Sequence, residues 1–126
     1  MFINGEWVNA EDKAILEAYN PANSEYLANF PDASESDVNK AVDAAREAFK
    51  AWRKTTVKER AKILNKIADI IDENKDLLAT VETMDNGKPI RETKLVDIPL
   101  AATHFRYFAG CILADEGQAT VLDEKF

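Results

Sequence analysis

The sequence has few of the residues from which self-contained active sites, cross-linked folds and membrane spans are built. Its 126 residues include one cysteine and one histidine, so no internal disulfide can form and these two residues cannot assemble a transition-metal site alone. Its four glycines are too dispersed for a G-x-G-x-x-G turn or a phosphate-binding loop. No apolar run reaches membrane-spanning length, and the start of the chain does not read as a signal peptide. A reducing, cytoplasmic location is therefore predicted.

Basic residues are in the minority. Sixteen Lys and Arg stand against 23 Asp and Glu, which gives a net charge of -7. Phosphate contacts need clustered basic side chains, so this balance argues against nucleic acid as a partner. The densest basic stretch, residues 53–62, is interrupted by Glu59 and starts a predicted helix, where a solvated face is the better interpretation.

Residues 1–33 have the patterns of short strands separated by turns. Asn4-Gly5, with apolar or aromatic residues on both sides, is a strong hairpin signal. The cluster that begins with Asn20-Pro21 predicts a turn between the second and third apolar runs. The first quarter of the chain is therefore expected to be strand-rich.

From residue 34 the apolar period changes from two to 3.6, which predicts three to four helices over 34–115 and an α+β fold. Ser34 with Asp37, and Thr56 with Glu59, have the spacing of capping boxes. A bend is expected near residues 73–74, and Gly87 supplies the left-handed residue that ends a helix.

The last helix is predicted to begin near Asp97, with Pro99 tolerated in its first turn. It is apolar around much of its circumference, so it should be covered on more than one side. The rest of the chain looks insufficient for this. Residues 116–126 read as a loop or an incipient strand.

Cys111 and His104 are the first candidates for a nucleophile and its base. They lie seven residues apart on one predicted helix, about 10 Å along its axis, which is beyond hydrogen-bond reach. Asp97 lies equally far from His104. We therefore expect Cys111 to be a small buried residue and His104 to be partly buried and hydrogen-bonded, with a catalytic pair only a remote alternative.

Asp85 lies beside Asn86-Gly87 at a predicted helix end. It could cap the helix, remain solvated, or offer oxygen to a hard cation. From the residues alone, the capping interpretation is favoured.

Five segments, in this order, resemble the N-terminal part of the aldehyde dehydrogenase superfamily, and within it bacterial acetaldehyde-type enzymes. The segments are Phe2-Ile3-Asn4-Gly5-Glu6-Trp7, Asn20-Pro21, the helix patterns over 41–64, Glu82-Thr83-Met84-Asp85-Asn86-Gly87-Lys88-Pro89, and Asp97-Ile98-Pro99 with Phe105-Arg106-Tyr107-Phe108-Ala109-Gly110. The resemblance implies an α/β, Rossmann-like cofactor domain, of which 1–126 would be the N-terminal part. It also implies NAD or NADP as cofactor and a small aliphatic aldehyde as substrate.

In that family a cysteine forms a thiohemiacetal with the aldehyde, a glutamate activates water, and hydride passes to the nicotinamide. The matching positions all lie beyond Phe126, so no catalytic or cofactor-binding residue is transferred to this chain. The expectation is therefore a truncated fragment that is inactive and cannot bind NAD(P) alone. The alternative is a non-catalytic interaction module or split-enzyme subunit. It would dock through its apolar last helix, either on itself or on a complementary C-terminal chain.

Two further sites are implied by the resemblance. The Asp85 position resembles one that holds Na+ or K+ together with backbone oxygens, here near Ala18 and Tyr19, which makes the cation and capping interpretations equally favoured. The Val96 and Leu100 positions resemble residues that line the aldehyde entrance tunnel. Plain core packing is the alternative for both.

Overall fold

The computed structural model describes residues 1–114 and Gly117, so the predicted loop or strand over 116–126 lies, apart from Gly117, outside the described residues. Strands β1 (Phe2–Ile3) and β2 (Glu6–Trp7) pair antiparallel. They are joined through Asn4 and Gly5, whose φ angles of 53° and 85° are both positive. A two-residue turn of this kind matches the right-handed twist of the strands it connects. The predicted hairpin is confirmed.

A second antiparallel pair consists of β3 (Ile15–Tyr19) and β4 (Tyr26–Pro31). The register is irregular between Ala18 and Tyr19. The turn between the strands is closed by Asn20, whose Oδ1 accepts from the Ala22 N–H at 2.9 Å and whose carbonyl accepts from the Ser24 N–H at 2.7 Å. Among the described residues, these two strands form a sheet separate from the first.

Both predicted capping boxes are present. Helix α1 (Glu35–Trp52) begins after Ser34, whose Oγ accepts from the Asp37 N–H at 3.3 Å while the Asp37 carboxylate accepts from the Ser34 N–H at 3.1 Å. Helix α2 (Val57–Glu73) begins with the same reciprocal pair, Thr56 and Glu59. Each box satisfies donors that a helix start leaves without an intrahelical partner.

Helix α3 (Lys75–Asn86) follows α2 after a break at Asn74 and ends at Gly87, whose φ is 75°. Both features were predicted. The next helical segment begins earlier than the sequence pattern indicates. A short helix α4 (Ile90–Glu92) and a π-helical turn (Thr93–Asp97) precede α5 (Ile98–Cys111).

The π-helical turn is marked by the Ile98 N–H, which donates to the Thr93 carbonyl five residues back. Pro99 follows directly and has no N–H to donate, so the usual i→i−4 ladder is interrupted here. The sequence prediction does not include the helical residues 90–97, because it depends on a 3.6-residue apolar period and the π-helical turn is wider than that. The helix also ends at Cys111 rather than near residue 115.

The core of the described chain is built mainly from small side chains. Helices α2 and α5 pack against each other, and their buried apolar residues are alanines, which allow close approach: Ala61, Ala68, Ala102 and Ala109. At the edge of this contact, Arg106 of α5 bridges two carboxylates of α2, Asp69 at 2.9 Å and Asp72 at 2.8 Å. These hydrogen bonds raise the pKa of Arg106, with Asp72 the larger cause.

Large apolar side chains remain outside this core. The chain exposes 10193 Å², whereas a compact monomer of 14.1 kDa exposes about 6,700 Å². Tyr107 and Phe108 of α5, and Ile63 and Ile70 of α2, are among the exposed side chains. The prediction that the last helix lacks sufficient cover is confirmed.

No helix within the described residues is both long and apolar enough to span a membrane.

Candidate functional site

A groove with a volume of about 700 Å³ lies between the β3–β4 hairpin and α3. The hairpin provides one wall, α3 the other, and Ile98 at the start of α5 contributes to the lining. Apolar groups dominate this lining, and its charged members are Glu82 and Asp85. The complete lining is Ala18, Leu27, Ala28, Asn29, Phe30, Leu78, Val81, Glu82, Met84, Asp85 and Ile98. We call this surface the hairpin groove.

The two walls are connected by a close contact between the turn after β3 and the end of α3. A Cβ atom added at Gly87 would lie 2.9 Å from Pro21 Cγ and 3.6 Å from Pro21 Cβ. Only a residue without a side chain permits this approach, and the positive φ of Gly87 has the same requirement. Two separate segments of the family pattern, Asn20-Pro21 and Asn86-Gly87, therefore meet in space.

Hydrogen bonds hold the segment after α3 in place. The hydroxyl of Thr93, which is fully buried, donates to the Ile90 carbonyl at 3.1 Å and lies 2.9 Å from the Thr83 hydroxyl. Because the Thr93 proton is used on Ile90, Thr83 is the donor to Thr93. Lys88 forms an ion pair with Asp97, and this hydrogen bond raises the pKa of Lys88. These contacts fix the π-helical turn against α3.

Two of the three expected cation ligands line the hairpin groove, and the cation site stays a prediction. Ala18 and Asp85 line the same groove, whereas Tyr19 does not, and its hydroxyl hydrogen-bonds to Glu17. Carboxylate, amide and backbone oxygens suit a hard cation, yet among the described residues there is no group of three or more His, Cys, Asp or Glu that could hold a metal ion. Asn86, the neighbour of Asp85, accepts from the Lys88 N–H at 2.8 Å, and the capping and cation interpretations of Asp85 both stay predictions.

Val96 and Leu100 are both about half exposed, and neither lines the hairpin groove. Core packing, the alternative interpretation for these two positions, also stays a prediction. They lie four residues apart, Val96 in the π-helical turn and Leu100 in α5. Residues with this separation share one side of a helix. Their assignment to an aldehyde tunnel stays a prediction.

Two expectations about α5 are wrong. Cys111 is exposed rather than buried, and His104 is exposed rather than partly buried. Only one face of α5 packs on α2, and these two residues lie outside the buried alanine positions of that face. Tyr107 lies one turn before Cys111, and a hydrogen bond with the Cys111 thiol raises the pKa of Tyr107.

The described glycines do not fit a dinucleotide. Gly5 lies in a hairpin turn, Gly87 ends a helix, and Gly110 lies inside α5. That this chain alone cannot bind NAD or NADP stays a prediction.

Sequence reasoning missed three contacts that shape the site: Gly87 with Pro21, Thr83 with Thr93, and Arg106 with the carboxylates of α2. A signal existed for the last, because two aspartates three residues apart share a helix face. No comparable local signal predicts the other two.

Comparison with known proteins identifies the class of protein to which this fold belongs. The model of the aldehyde dehydrogenase family matches residues 7–125. An aldehyde dehydrogenase from Bacillus cereus, solved as an NAD+ complex, superposes with a TM-score of 0.92 at 40% identity, covering 98% of this chain and 26% of that chain. The fold is that of the N-terminal part of such enzymes, and the chain belongs to the aldehyde dehydrogenase family.

Two curated relatives place the chain more closely. It is 50% identical over 124 residues to an acetaldehyde dehydrogenase of Pseudomonas aeruginosa, covering 98% of this chain and 24% of the relative. It is 46% identical over 124 residues to aldehyde dehydrogenase B of Escherichia coli, with the same two coverages. The chain therefore spans about a quarter of the length of the curated relatives that it matches.

Proposed function

We propose that this chain provides the N-terminal part of the cofactor-binding domain of an NAD(P)-dependent aldehyde dehydrogenase, over residues 1–126. The enzyme would oxidise a small aliphatic aldehyde, such as acetaldehyde, in the cytoplasm. The observation that carries the proposal is a family match over almost the whole chain, to relatives about four times as long. The large area of exposed apolar surface has the same explanation, because faces that pack inside a longer protein are uncovered in its N-terminal quarter.

The chain is inactive alone in this proposal. Aldehyde oxidation through a thiohemiacetal needs an activated thiolate, a donor for the oxyanion and a positioned hydride acceptor. Cys111 lies at the end of α5, and His104 lies two turns earlier on the same helix. This separation leaves the thiol without a histidine base within reach.

Aldehyde oxidation by the purified chain is the direct test. The chain would be incubated with acetaldehyde and either NAD or NADP while formation of the reduced nicotinamide is followed by absorbance. The acetaldehyde dehydrogenase of Pseudomonas aeruginosa would serve as the positive control. We expect no turnover above the protein-free background. Turnover that disappears in Cys111→Ser would show that the inactivity proposal is wrong.

A cation near Asp85 and the backbone oxygens of Ala18 and Tyr19 is part of the proposal, as is an aldehyde path past Val96 and Leu100. The cation component can be tested without activity. Na+ or K+ should raise the melting temperature of the chain beyond the effect of an equal concentration of a bulky organic cation, since a ligand that binds only the folded state stabilises it. Asp85→Asn should abolish this difference. If the unchanged chain and Asp85→Asn show the same shift in melting temperature, the proposal that a cation binds at Asp85 is wrong.

A second candidate function is a non-catalytic interaction module. It is favoured by the outward face of α5, where Tyr107 and Phe108 are exposed side by side with their ring centroids 5.2 Å apart. Self-association through this face would give a dimer by gel filtration with light scattering, and Phe108→Ser would return the chain to a monomer. A chain that is monomeric at all concentrations would exclude self-association.

A further inference from the structure

We propose that Asn4 is a site of spontaneous deamidation, whereas Asn86, which is also followed by glycine, is protected by the fold. The modification converts the turn between β1 and β2 into an aspartyl or isoaspartyl linkage, with water as the only co-reactant. This chemistry depends on a turn and on the end of a helix, so it is independent of the function proposed above.

Deamidation begins when the backbone nitrogen that follows an asparagine attacks the side-chain amide carbon. At Asn4, a bond forms between the Gly5 nitrogen and Asn4 Cγ, and the bond from Cγ to Nδ2 breaks. Ammonia leaves with the proton of the Gly5 N–H, and a cyclic succinimide is left. Glycine in the second position favours this attack, because it has no Cβ to obstruct the approach.

Water then opens the succinimide at one of its two carbonyl carbons. Opening at the side-chain carbonyl gives aspartate. Opening at the main-chain carbonyl gives isoaspartate, in which the chain continues through Cβ and Cγ. Nothing is oxidised or reduced, and either product adds one negative charge to the net charge of -7.

The two Asn-Gly pairs of the chain are closely matched in sequence and in exposure. Asn4 and Asn86 are both exposed, and both are followed by an exposed glycine. The φ angles of these glycines, 85° at Gly5 and 75° at Gly87, are also similar. Neither residue type nor access to water therefore separates the two sites, and the difference between them lies in hydrogen bonding and packing.

At Asn86, both of the groups that must react are held. The Gly87 N–H donates to the Thr83 carbonyl at 3.0 Å, and Asn86 Oδ1 accepts from the Lys88 N–H at 2.8 Å. Pro21 Cγ lies 2.9 Å from the position of a Cβ at Gly87, so the backbone here has little room to rotate. Attack requires the end of α3 to open first, and its rate is reduced by the free energy of that opening.

At Asn4, neither reacting group is held. Within the described part of the chain, the Asn4 side chain and the Gly5 N–H make no hydrogen bond, and no atom lies within 4 Å of a Cβ built at Gly5. The strands on either side are only two residues long and form a sheet of their own. A hairpin this short opens at low cost, so the turn can reach the geometry of ring closure.

The isoaspartate product is incompatible with the observed hairpin. Two-residue turns with positive φ at both positions accept Asp-Gly as readily as Asn-Gly, so aspartate keeps the turn. Isoaspartate adds one carbon to the backbone, and the pairing of Ile3 with Glu6 is then out of register. Ile3 also lines a cavity of about 380 Å³ between β1 and α1. The modification should therefore loosen the contact of the hairpin with α1.

Ageing of the purified chain at mildly alkaline pH tests the site. Folded chain and chain in concentrated urea would be incubated in parallel, and the peptides that contain Asn4 and Asn86 would be followed by mass spectrometry, which detects the exchange of NH2 for OH. The rates in urea give the intrinsic ratio of the two sites. Relative to that ratio, Asn4 should react at least about tenfold faster than Asn86 in the folded chain, since two hydrogen bonds must break first at Asn86.

Hydrogen exchange provides an independent measurement of the same protection. The Gly87 N–H should exchange slowly and the Gly5 N–H rapidly in the folded chain. The proposal is overturned by a folded ratio equal to the ratio in urea, by faster reaction at Asn86, or by an Asn4 that reacts in urea and not in the folded chain.

The effect on the hairpin is tested with Asn4→Asp, which carries the same added charge as isoaspartate on an unaltered backbone. A protease that cleaves before aspartate but not before isoaspartate separates the two products. The Val8 N–H, which donates to the Met1 carbonyl at 2.8 Å, should lose its exchange protection in the isoaspartate product and keep it in Asn4→Asp. Equal protection in both would show that isoaspartate does not open the hairpin.

Discussion

Replacing Gly87 by alanine tests the contact that joins the two walls of the hairpin groove. Gly87 ends α3 with a φ of 75°, and a Cβ at this position would lie 2.9 Å from Pro21 Cγ. An alanine here therefore meets two separate penalties, a left-handed backbone and an overlap with a proline ring whose own turn is fixed by hydrogen bonds.

The two penalties can be estimated separately. Placing a non-glycine residue in the left-handed region costs about 1–2 kcal/mol, and inserting a methyl group into filled space costs about 1–3 kcal/mol. The total of about 2–5 kcal/mol is large against the ~6–19 kcal/mol expected for a domain of this length. A chain with so much exposed apolar surface should lie near the lower end of that range. We expect Gly87→Ala to be largely unfolded in mild denaturant.

Urea unfolding followed by far-ultraviolet circular dichroism measures this cost, and two other glycines provide controls. Gly5→Ala has the same backbone penalty, since its φ is 85°, but no atom lies within 4 Å of the added Cβ. Gly110→Ala has neither penalty. It should stabilise α5 by about 0.5–1 kcal/mol, because glycine is a poor helix interior residue. In the double variant Gly87→Ala with Pro21→Ala, the steric part of the lost free energy of unfolding should be recovered. The part that comes from the left-handed backbone should remain.

Two results would refute the reasoning. Equal costs for Gly87→Ala and Gly5→Ala would show that Pro21 is not in close contact with Gly87. A neutral Gly87→Ala, matching Gly110→Ala, would show that α3 does not end in a left-handed residue.

Three further predictions concern polar groups. Ser34→Ala should lower the free energy of unfolding by about 1 kcal/mol through loss of the N-cap, and an unchanged urea midpoint would contradict this. The Ser34 hydroxyl, which donates to the Asp37 carboxylate at 2.7 Å, lowers the Asp37 pKa. The stabilisation should therefore be complete above the unfolded pKa of about 3.9 and be lost as pH falls through the lower folded pKa. The free energy of unfolding of the unchanged chain should exceed that of Asp37→Asn, and this difference should shrink as pH falls through that range. A difference that does not change with pH would show that Ser34 does not lower the Asp37 pKa. Thr93→Val should cost about 1 kcal/mol and should not be additive with Thr83→Val, whereas additive losses in a double-mutant cycle would exclude their hydrogen bond.

Local signals in the sequence were sufficient for most secondary structure. The Asn4-Gly5 turn, the two capping boxes and the Gly87 helix end were all predicted correctly, because each depends on residues within a few positions of one another. The π-helical turn before Pro99 was missed, since its wider hydrogen-bonding pattern leaves no trace in a 3.6-residue period.

The candidate site was less predictable, because it depends on contacts between distant segments. Sequence resemblance brought Ala18, Tyr19 and Asp85 together, and Ala18 and Asp85 line the hairpin groove, whereas Tyr19 does not. It did not indicate that Pro21 packs on Gly87. The expected burial of Cys111 and His104 failed because apolar neighbours along a helix do not specify which face finds a partner.

The sequence by itself determined the family, the order of strands and helices, and the absence of a histidine base near Cys111 on their shared helix. These properties depend on residue identity and on short-range backbone chemistry. Only the tertiary structure decided which apolar surfaces are covered. Helices α2 and α5 cover each other through small residues, while the hairpin groove and the outer face of α5 stay open. Burial depends on which parts of a protein pack nearby. The polarity of a side chain indicates whether its burial is favourable, but it does not indicate which other residues will bury it.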